Sequence, residues 1–429
     1  MARKMKDSGI EWIGEIPEGW EVIRLKYLAD FEPTCDTSYL TDESKITYTP
    51  MECVKNGGFE NRSALYGNLS HTLTPFQNGD IAMAKVTPCF ENGNIAIMNN
   101  LFSGFGLGSS ELFIFRPKSI STHYFFYWLQ NKAFVARACS TMTGTGGLKR
   151  ISPSFIRNCP VHYPSTDEQT KISDYLDAKC SEIDVLLSKT RSSIEEYKKL
   201  KQAVITQAVT KGVRGEREMK DSGVEWIGEI PKEWICEKIK YATSISRGLF
   251  NHRPRNDERY YNGKYPFIQT GDVANATKYI VSYSQTLNEL GKAVSKEFPK
   301  GTLTMTIAAN VGDVAILNFD AYFPDSVVGF IPNKNIRTLY LFYVFSAMKD
   351  EFTRTAIKST QLNLNIDRVK ETFIPVTLNV NEQCEIENYL ESKCAEIDGL
   401  IAKKEQLVKE LESYKKSLIY EVVTGKREV

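Results

Sequence analysis

The chain has 429 residues, 42% of them hydrophobic and 25% charged, which is more than one hydrophobic core usually serves and too apolar for a disordered or fibrous chain. Its 54 Lys and Arg nearly balance 53 Asp and Glu, for a net charge of +1. The balance conceals a basic stretch from Ile235 to Pro375 and an acidic one from Asn381 onward, so a nucleic-acid partner is not excluded.

No run of about 18 apolar residues occurs, and MARKMKDSG at the start has no apolar stretch behind its basic residues, so a cytoplasmic location is expected. The nine cysteines are scattered, without a CxxC pair, and none of the four histidines is spaced as HxxxH. Reduced thiols and no metal centre are the expectation.

In chain order, the first signal is the block MKDSGIEWIGEIPEGW at Met5 to Trp20, which returns as MKDSGVEWIGEIPKEW at Met219 to Trp234, an offset of 214 residues with three differences. After each copy comes a stretch of about 140 residues, Glu21 to Pro160 and Ile235 to Pro375, and these two resemble each other only faintly. In the first, 79–85, 94–98 and 111–115 read as strands and His123 to Leu129 as an aromatic helix. In the second, 300–307, 314–317 and 327–331 answer as strands and Tyr340 to Phe345 as the helix, so the inserts are expected to share a fold. Aromatics at helical spacing read as core rather than as base-stacking platforms.

Each insert leads into a second repeated block. DEQTKISDYLDAKCSEIDVLL from Asp167 matches NEQCEIENYLESKCAEIDGLI from Asn381, again offset by 214. Apolar residues step by four and three in both copies, predicting helices of about 40 residues with a coiled-coil seam. The seam residues are Ile172, Leu176, Ile183, Leu186, Tyr197 and Val204 in one helix, and Ile386, Leu390, Ile397, Leu400, Leu407, Leu411, Tyr414 and Leu418 in the other. Ser165 with Glu168, or Thr166 with Gln169, forms a predicted capping box, Asn381 a predicted cap, and Gly212 and Gly425 predicted stops. The plainer alternative is two separate amphipathic helices, each packed on its own domain.

The predicted organisation is an opening segment at 1–20, an insert domain at 21–163, a long helix at 164–212, a linker with the second opening copy at 213–234, a second insert domain at 235–377 and a long helix at 378–429. Shared parts do the same mechanical job twice, while the diverged inserts meet two different surfaces.

These paired motifs, DSGxEWIGEIP, xEQxxIxxYLxxKCxEID and VTKG/VTGK around two divergent inserts, resemble over nearly the whole chain the specificity subunit of type I restriction-modification systems. The resemblance implies an α+β fold of two mixed α/β target recognition domains alternating with two long helices, paired as an antiparallel coiled coil with pseudo-two-fold symmetry. It implies binding of double-stranded DNA through an asymmetric bipartite target, and recruitment of two methyltransferase and two restriction (translocase-nuclease) subunits. S-adenosylmethionine, ATP and Mg2+ would then sit on those other subunits, and this chain would be non-catalytic. The residues agree: no Pro-Pro pair of a methyltransferase tetrapeptide and no GxxxxGK[ST] occurs. Phe105-Gly-Leu-Gly108 reads as a turn between strands.

DNA-contact candidates are polar and basic residues in Gly- and Pro-punctuated loops, since Lys and Arg set register on phosphates while side chains of fixed geometry read base edges. They are Lys85, Thr87, Asn92, Thr143, Thr145, Lys149 and Arg150 in the first insert, and Arg247, Asn251, Arg253, Arg255, Gln361 and Asn363 in the second. The segments 85–92 and 143–150 are read as occupying places comparable to 247–256 and 360–363. Gly144-Thr-Gly-Gly147 is read as a loop contacting the DNA backbone. Two other readings stay open, a coiled-coil interaction scaffold without a DNA role and the recognition half of a split restriction enzyme.

Overall fold

The computed structural model of the chain describes residues 3–429 except 71, 146, 356 and 359–361, with the backbone alone at 355, 357, 358, 362 and 363. It divides into two units, Met1–Arg191 with Glu405–Val429, and Ser192–Lys404. No helix among the described residues is long and apolar enough to cross a membrane.

In the first unit a small hairpin, Met5–Asp7 with Glu15–Pro17, leads to Trp20, which is buried. Its indole Nε1 donates to Glu168 Oε2 at 2.8 Å, and the Arg3 guanidinium lies over its ring while pairing with the same carboxylate. Burying such an indole removes roughly 200 Å² from water, on the order of 5 kcal/mol of transfer free energy. Among the strands that follow, eight build two four-stranded sheets: β1 (Ala29–Phe31), β2 (Lys45–Thr49), β3 (Arg62–Leu65), β4 (Thr74–Gln77), β5 (Ile81–Ala84), β6 (Ile95–Ile97), β7 (Phe105–Gly108) and β8 (Leu112–Pro117). They form a main sheet in the order β6-β5-β8-β1 and a second sheet β3-β2-β7-β4, in which β2 and β7 run parallel.

The main sheet is buried on both faces, which is why its strands are near-continuous apolar runs rather than alternating ones. Ile81, Met83, Phe113 and Phe115 face a core shared with α1 (Thr122–Trp128) and α2 (Thr166–Lys211), whereas Ala82, Ala96, Leu112 and Ile114 face a separate core. The stretch read from sequence as a turn, Phe105–Gly108, is instead strand β7. A Cβ on Gly106 would stand 2.3 Å from the Phe76 ring, so glycine here serves close strand packing rather than a bend.

The second unit repeats this plan. The strands of its two larger sheets are β9 (Thr243–Arg247), β10 (Tyr261–Phe267), β11 (Tyr279–Ile280), β12 (Gln285–Leu287), β13 (Glu297–Phe298), β14 (Leu303–Thr306), β15 (Val314–Leu317), β16 (Ala321–Tyr322) and β17 (Val327–Pro332). The main sheet runs β9-β17-β14-β15-β11 and the second β12-β10-β16-β13, again with one parallel pair, β10 with β16. Apart from the added β11, order and polarity match the first unit, so the inserts share a fold. α3 (Thr338–Ala347) stands for α1, and its Tyr340 hydroxyl donates to Pro375 O as that of Tyr124 does to His162 O. Trp234, Arg217 and Glu382 repeat the indole, guanidinium and carboxylate cluster. Burial pushes the Glu382 carboxyl up, but donors from Arg217, Thr377 and Trp234 outweigh it and hold it below its usual range.

The second long helix is α4 (Val380–Val423). Within the first unit, Asp184 pairs with Lys415 at 2.7 Å and Arg191 with Glu412 at 2.5 Å. Within the second, Lys201 pairs with Asp398 at 2.7 Å and Lys404 lies over Tyr197. In each unit, positions advancing along α2 meet positions receding along α4, so the helices pack antiparallel.

The seam differs from the predicted one at three places. Leu186, Leu407 and Tyr414 are 50%, 43% and 50% exposed. On α2 the buried face runs Ile172, Leu176, Cys180, Ile183, Leu187 and Ile194, and Leu187 rather than Leu186 carries the contact. That spacing is nearer the 3.6-residue turn of a straight helix than the 3.5 of a supercoil, because the stripe serves the insert's core as well as the partner helix. Two cap expectations also change. Glu168 turns to Trp20 and Arg3 instead of closing a capping box, and Asn379, not Asn381, caps α4, its Oδ1 accepting from the amides of Asn381 and Glu382. Gly212 and Gly425 follow the helix ends with φ of 72° and 71°, the left-handed stop that glycine allows.

Candidate nucleic-acid interface

Antiparallel pairing brings the C-terminal ends of β1 and β5 and the N-terminal ends of β6 and β8 to one end of the first unit's main sheet, with Ala84 opposite Leu112 and Met83 opposite Ile95. The connection 85–94 leaves from this end, and the hairpin of Thr143 and Arg150 is laid against it. Ile151 N donates to Lys85 O at 3.0 Å, Thr87 N to Lys149 O at 2.9 Å and Arg150 N to Thr143 O at 2.8 Å. The Thr87 hydroxyl, nearly buried, donates to Gly147 O and accepts from Lys149 N. Thr87 is therefore a strut of the hairpin rather than a side chain offered to a ligand.

All seven candidates of the first insert meet at this end. Asn92, Thr143, Thr145, Lys149 and Arg150 are exposed, and Lys85 lays its ammonium over the Phe113 ring. Arg150 donates through Nε and Nη2 to the two oxygens of Glu111 at 2.9 and 2.8 Å. That bonding holds the Glu111 carboxyl below its usual range. Glu111 escaped the sequence reading because it was counted as the first residue of a strand.

In the second unit the same sheet end holds Arg247, Asn251, Arg253 and Arg255. Three guanidiniums converge on Asp325: Arg247 Nε donates to its carbonyl at 2.5 Å, Arg253 stands 3.7 Å from its carboxylate and Arg255 forms an ion pair with it. Lys296 donates to Ser246 beside them. Close passage of the loop requires Gly248, where a Cβ would lie 2.2 Å from Pro324 O. Exposed pairs of this sort contribute at most about 1 kcal/mol to stability each, so they orient side chains more than they hold the fold.

Gln361, with Thr360, lies outside the described residues, and of Asn363 only the backbone is described, in a short strand pairing with Ile357–Lys358. Leu364 N donates to Ile307 O at 2.8 Å as Ile151 N does to Lys85 O, so the pairing of 357–358 with 362–363 answers that of Thr143 with Arg150. The other expected equivalence is corrected. Segment 85–92 answers 307–313, on the β14 to β15 connection, while 247–256 answers the stretch after Phe31 that begins at Glu32. Sequence missed 307–313 because it is mostly apolar and small and holds no Lys or Arg. Among the described residues no group of three or more His, Cys, Asp or Glu is placed to hold a metal ion.

The profile described as Type I restriction modification DNA specificity domain matches residues 17–196 and 248–410. Over 196 residues, 44% of this chain, the sequence is 32% identical to the type I restriction enzyme EcoEI specificity subunit of Escherichia coli, and the match spans 33% of that protein. The chain thus covers about a third of the length of that relative. It is 24% identical over 434 residues to the putative type I restriction enzyme MjaX specificity subunit of Methanocaldococcus jannaschii, covering 96% of this chain and 95% of that one. A solved structure described under "Structural basis underlying complex assembly and conformational transition of the type I R-M system" has a TM-score of 0.75 at 16% identity, covering 96% of this chain and 99% of that one. The HsdS subunit from Thermoanaerobacter tengcongensis has a TM-score of 0.51 at 16% identity over 96% and 98% of the two chains. Fold, repeated scaffold and profile agree, and the chain belongs to the type I restriction-modification DNA specificity family.

Proposed function

We propose that this chain is the non-catalytic DNA-reading subunit of a type I restriction-modification complex, taking one half of an asymmetric bipartite target with each unit. The observation that carries the reading is internal. Scaffold contacts such as Arg3, Trp20 and Glu168 recur as Arg217, Trp234 and Glu382, while the loops at the same sheet end have diverged completely. One mount carrying two unlike readers is what two unlike half-sites require. Lys85, Lys149 and the arginines of the second unit would neutralise phosphates, so binding weakens as salt is added.

The paired helices serve as spacer and as platform for two copies of a methyltransferase subunit, with two restriction subunits beyond. Val185, Leu186, Leu407 and Tyr414 leave apolar surface exposed on the helices of the first unit, as Tyr389 and Leu200 do in the second. A cleft of about 630 Å³ between the segments 90–95 and 129–136 and the long helices is lined by Asp184 and Lys415, and one of about 600 Å³ in the second unit by Asp398 and Lys201. Clefts that carry the same helix-to-helix ion pair in both units, Asp184 with Lys415 and Asp398 with Lys201, fit one partner met twice. S-adenosylmethionine, ATP and Mg2+ belong to those partners, which methylate adenine and translocate and cleave DNA.

The test is to replace 21–160 with the insert of another family member and select targets from random duplexes using the assembled complex. One half-site should change and the other persist. Change in both halves, or no selected sequence at all, would overturn the reading.

A further inference from the structure

Arg150 is exposed yet fixed at every level. Its backbone forms single β-bridges with Thr143 on one side and Val86 on the other, and Lys85 N donates to Glu111 O at 3.0 Å, so Arg150 and Glu111 rise from neighbouring, mutually bonded segments. A guanidinium carries five N–H donors. Glu111 takes the Nε–H and one Nη2–H, which is one complete edge of the fork. Nη1 has no hydrogen-bond partner among the described residues. The outer edge, made by Nη1 and the second hydrogen of Nη2, therefore presents two parallel donors in a direction set by the carboxylate behind it.

Charge decides what such an edge suits. The Glu111–Arg150 pair is neutral as a whole, so it offers a phosphodiester anion no net attraction, and Glu111 would stand close behind any phosphate brought to it. A neutral ligand with two adjacent acceptors meets no such opposition. On double-stranded DNA the matching edge is guanine O6 and N7 in the major groove. The second unit shows the contrast at the equivalent start of β17, where Arg253 and Arg255 share the single carboxylate of Asp325, Arg247 bonds its main-chain carbonyl, and the cluster keeps a net positive charge suited to the backbone.

We infer that Arg150 reads a guanine in the half-site taken by the first unit, with Glu111 as the positioning residue that aims it. This rests on the DNA-reading function proposed above and adds a base identity to it. Lys85 and Lys149, on the same end, take flanking phosphates. Arg150 is held by two β-bridges, to Thr143 and Val86, rather than left at a free loop tip, as a base reader requires, because a reader that swings loses discrimination to the entropy of fixing it. Lysine cannot replace it, having no second edge for Glu111 to hold.

The experiment is selection from randomised duplexes with the full chain assembled with its methyltransferase subunit, comparing wild type, Arg150→Ala, Arg150→Lys and Glu111→Gln, with salt dependence measured on the selected target. Wild type should show one G·C position in one half-site whose preference drops about tenfold to a hundredfold in Arg150→Ala. Arg150→Lys should fail to restore it, and Glu111→Gln should lower the same preference while the salt slope stays unchanged. Other positions keep their preferences. Uniform weakening over all sequences with a salt slope lower by about one would overturn the inference in favour of a phosphate clamp. A bipartite target selected unchanged by Arg150→Ala would also overturn it while leaving the proposed function standing. A wild type that selects no sequence would instead remove that function.

Discussion

His162 is 1% exposed, and its Nδ1 accepts the indole N–H of Trp128 at 2.8 Å while its Nε2 has no partner among the described residues. Burial, with a smaller push from Lys426, lowers its pKa from 6.5 to about 4. The folded first unit therefore holds the imidazole neutral, whereas the unfolded chain takes up a proton as the pH drops below 6.5. Stability is complete above that pH and declines toward pH 4 by about 1.4 kcal/mol per unit, a few kcal/mol in all. The equivalent backbone position in the second unit, judged by the tyrosine hydroxyl that bonds it, is Pro375, which cannot titrate. Acid is expected to loosen the first unit well before the second, and His162→Gln to flatten the loss between pH 6.5 and 4. Thermal melts at pH 7, 5.5 and 4.5 check it, and parallel curves for wild type and variant would refute it. Nothing in the sequence marked this residue, because a histidine in a short strand looks alike whether its side is wet or dry.

The long helices give a sharper comparison at the scale of elements. Leu186 and Leu187 are adjacent and chemically identical, yet one is 50% exposed and the other 5%. Leu187→Ala is expected to destabilise the first unit by about 2 to 4 kcal/mol, and Leu186→Ala by about 0.5 kcal/mol or less. Equal effects in denaturant titrations would restore the 3.5-residue seam. The existence of both helices was legible because the same pattern is written twice, and their ends because glycine stops a helix for a backbone reason. Which leucine faces inward was not, since one residue's drift in phase depends on what the insert presents to the helix. The strands β5, β6, β8, β14, β15 and β17 were legible as apolar runs for a related reason, being buried on both faces. The second sheet of each unit was missed, as strands such as Arg62–Leu65 mix exposed polar residues with small ones and carry no period. At the candidate interface, charge and turn residues pointed to the hairpin and the arginines, whereas their acidic partners Glu111 and Asp325 become visible only once distant segments meet.

For the whole molecule, the two units are unlike in how the chain supplies them. The second is a single uninterrupted stretch, Ser192–Lys404, whereas the first joins residues up to Arg191 with Glu405–Val429. Leu418, Ile419, Val422 and Val423 from that last piece lie in the same core as Trp20, Tyr124 and Leu176. Burying four such side chains is worth roughly 6 to 12 kcal/mol, as much as the net stability of a typical domain. A chain ending at Lys404 is thus expected to keep a protease-resistant second unit while the first is digested. Equal resistance of both in limited proteolysis would count against this. On a ribosome, which releases residues in order, the portion translated first must wait unfinished through some two hundred more residues while the portion translated later closes on itself. The earliest-made half is the last to be sealed, so premature termination anywhere in the closing helix leaves its core open to water.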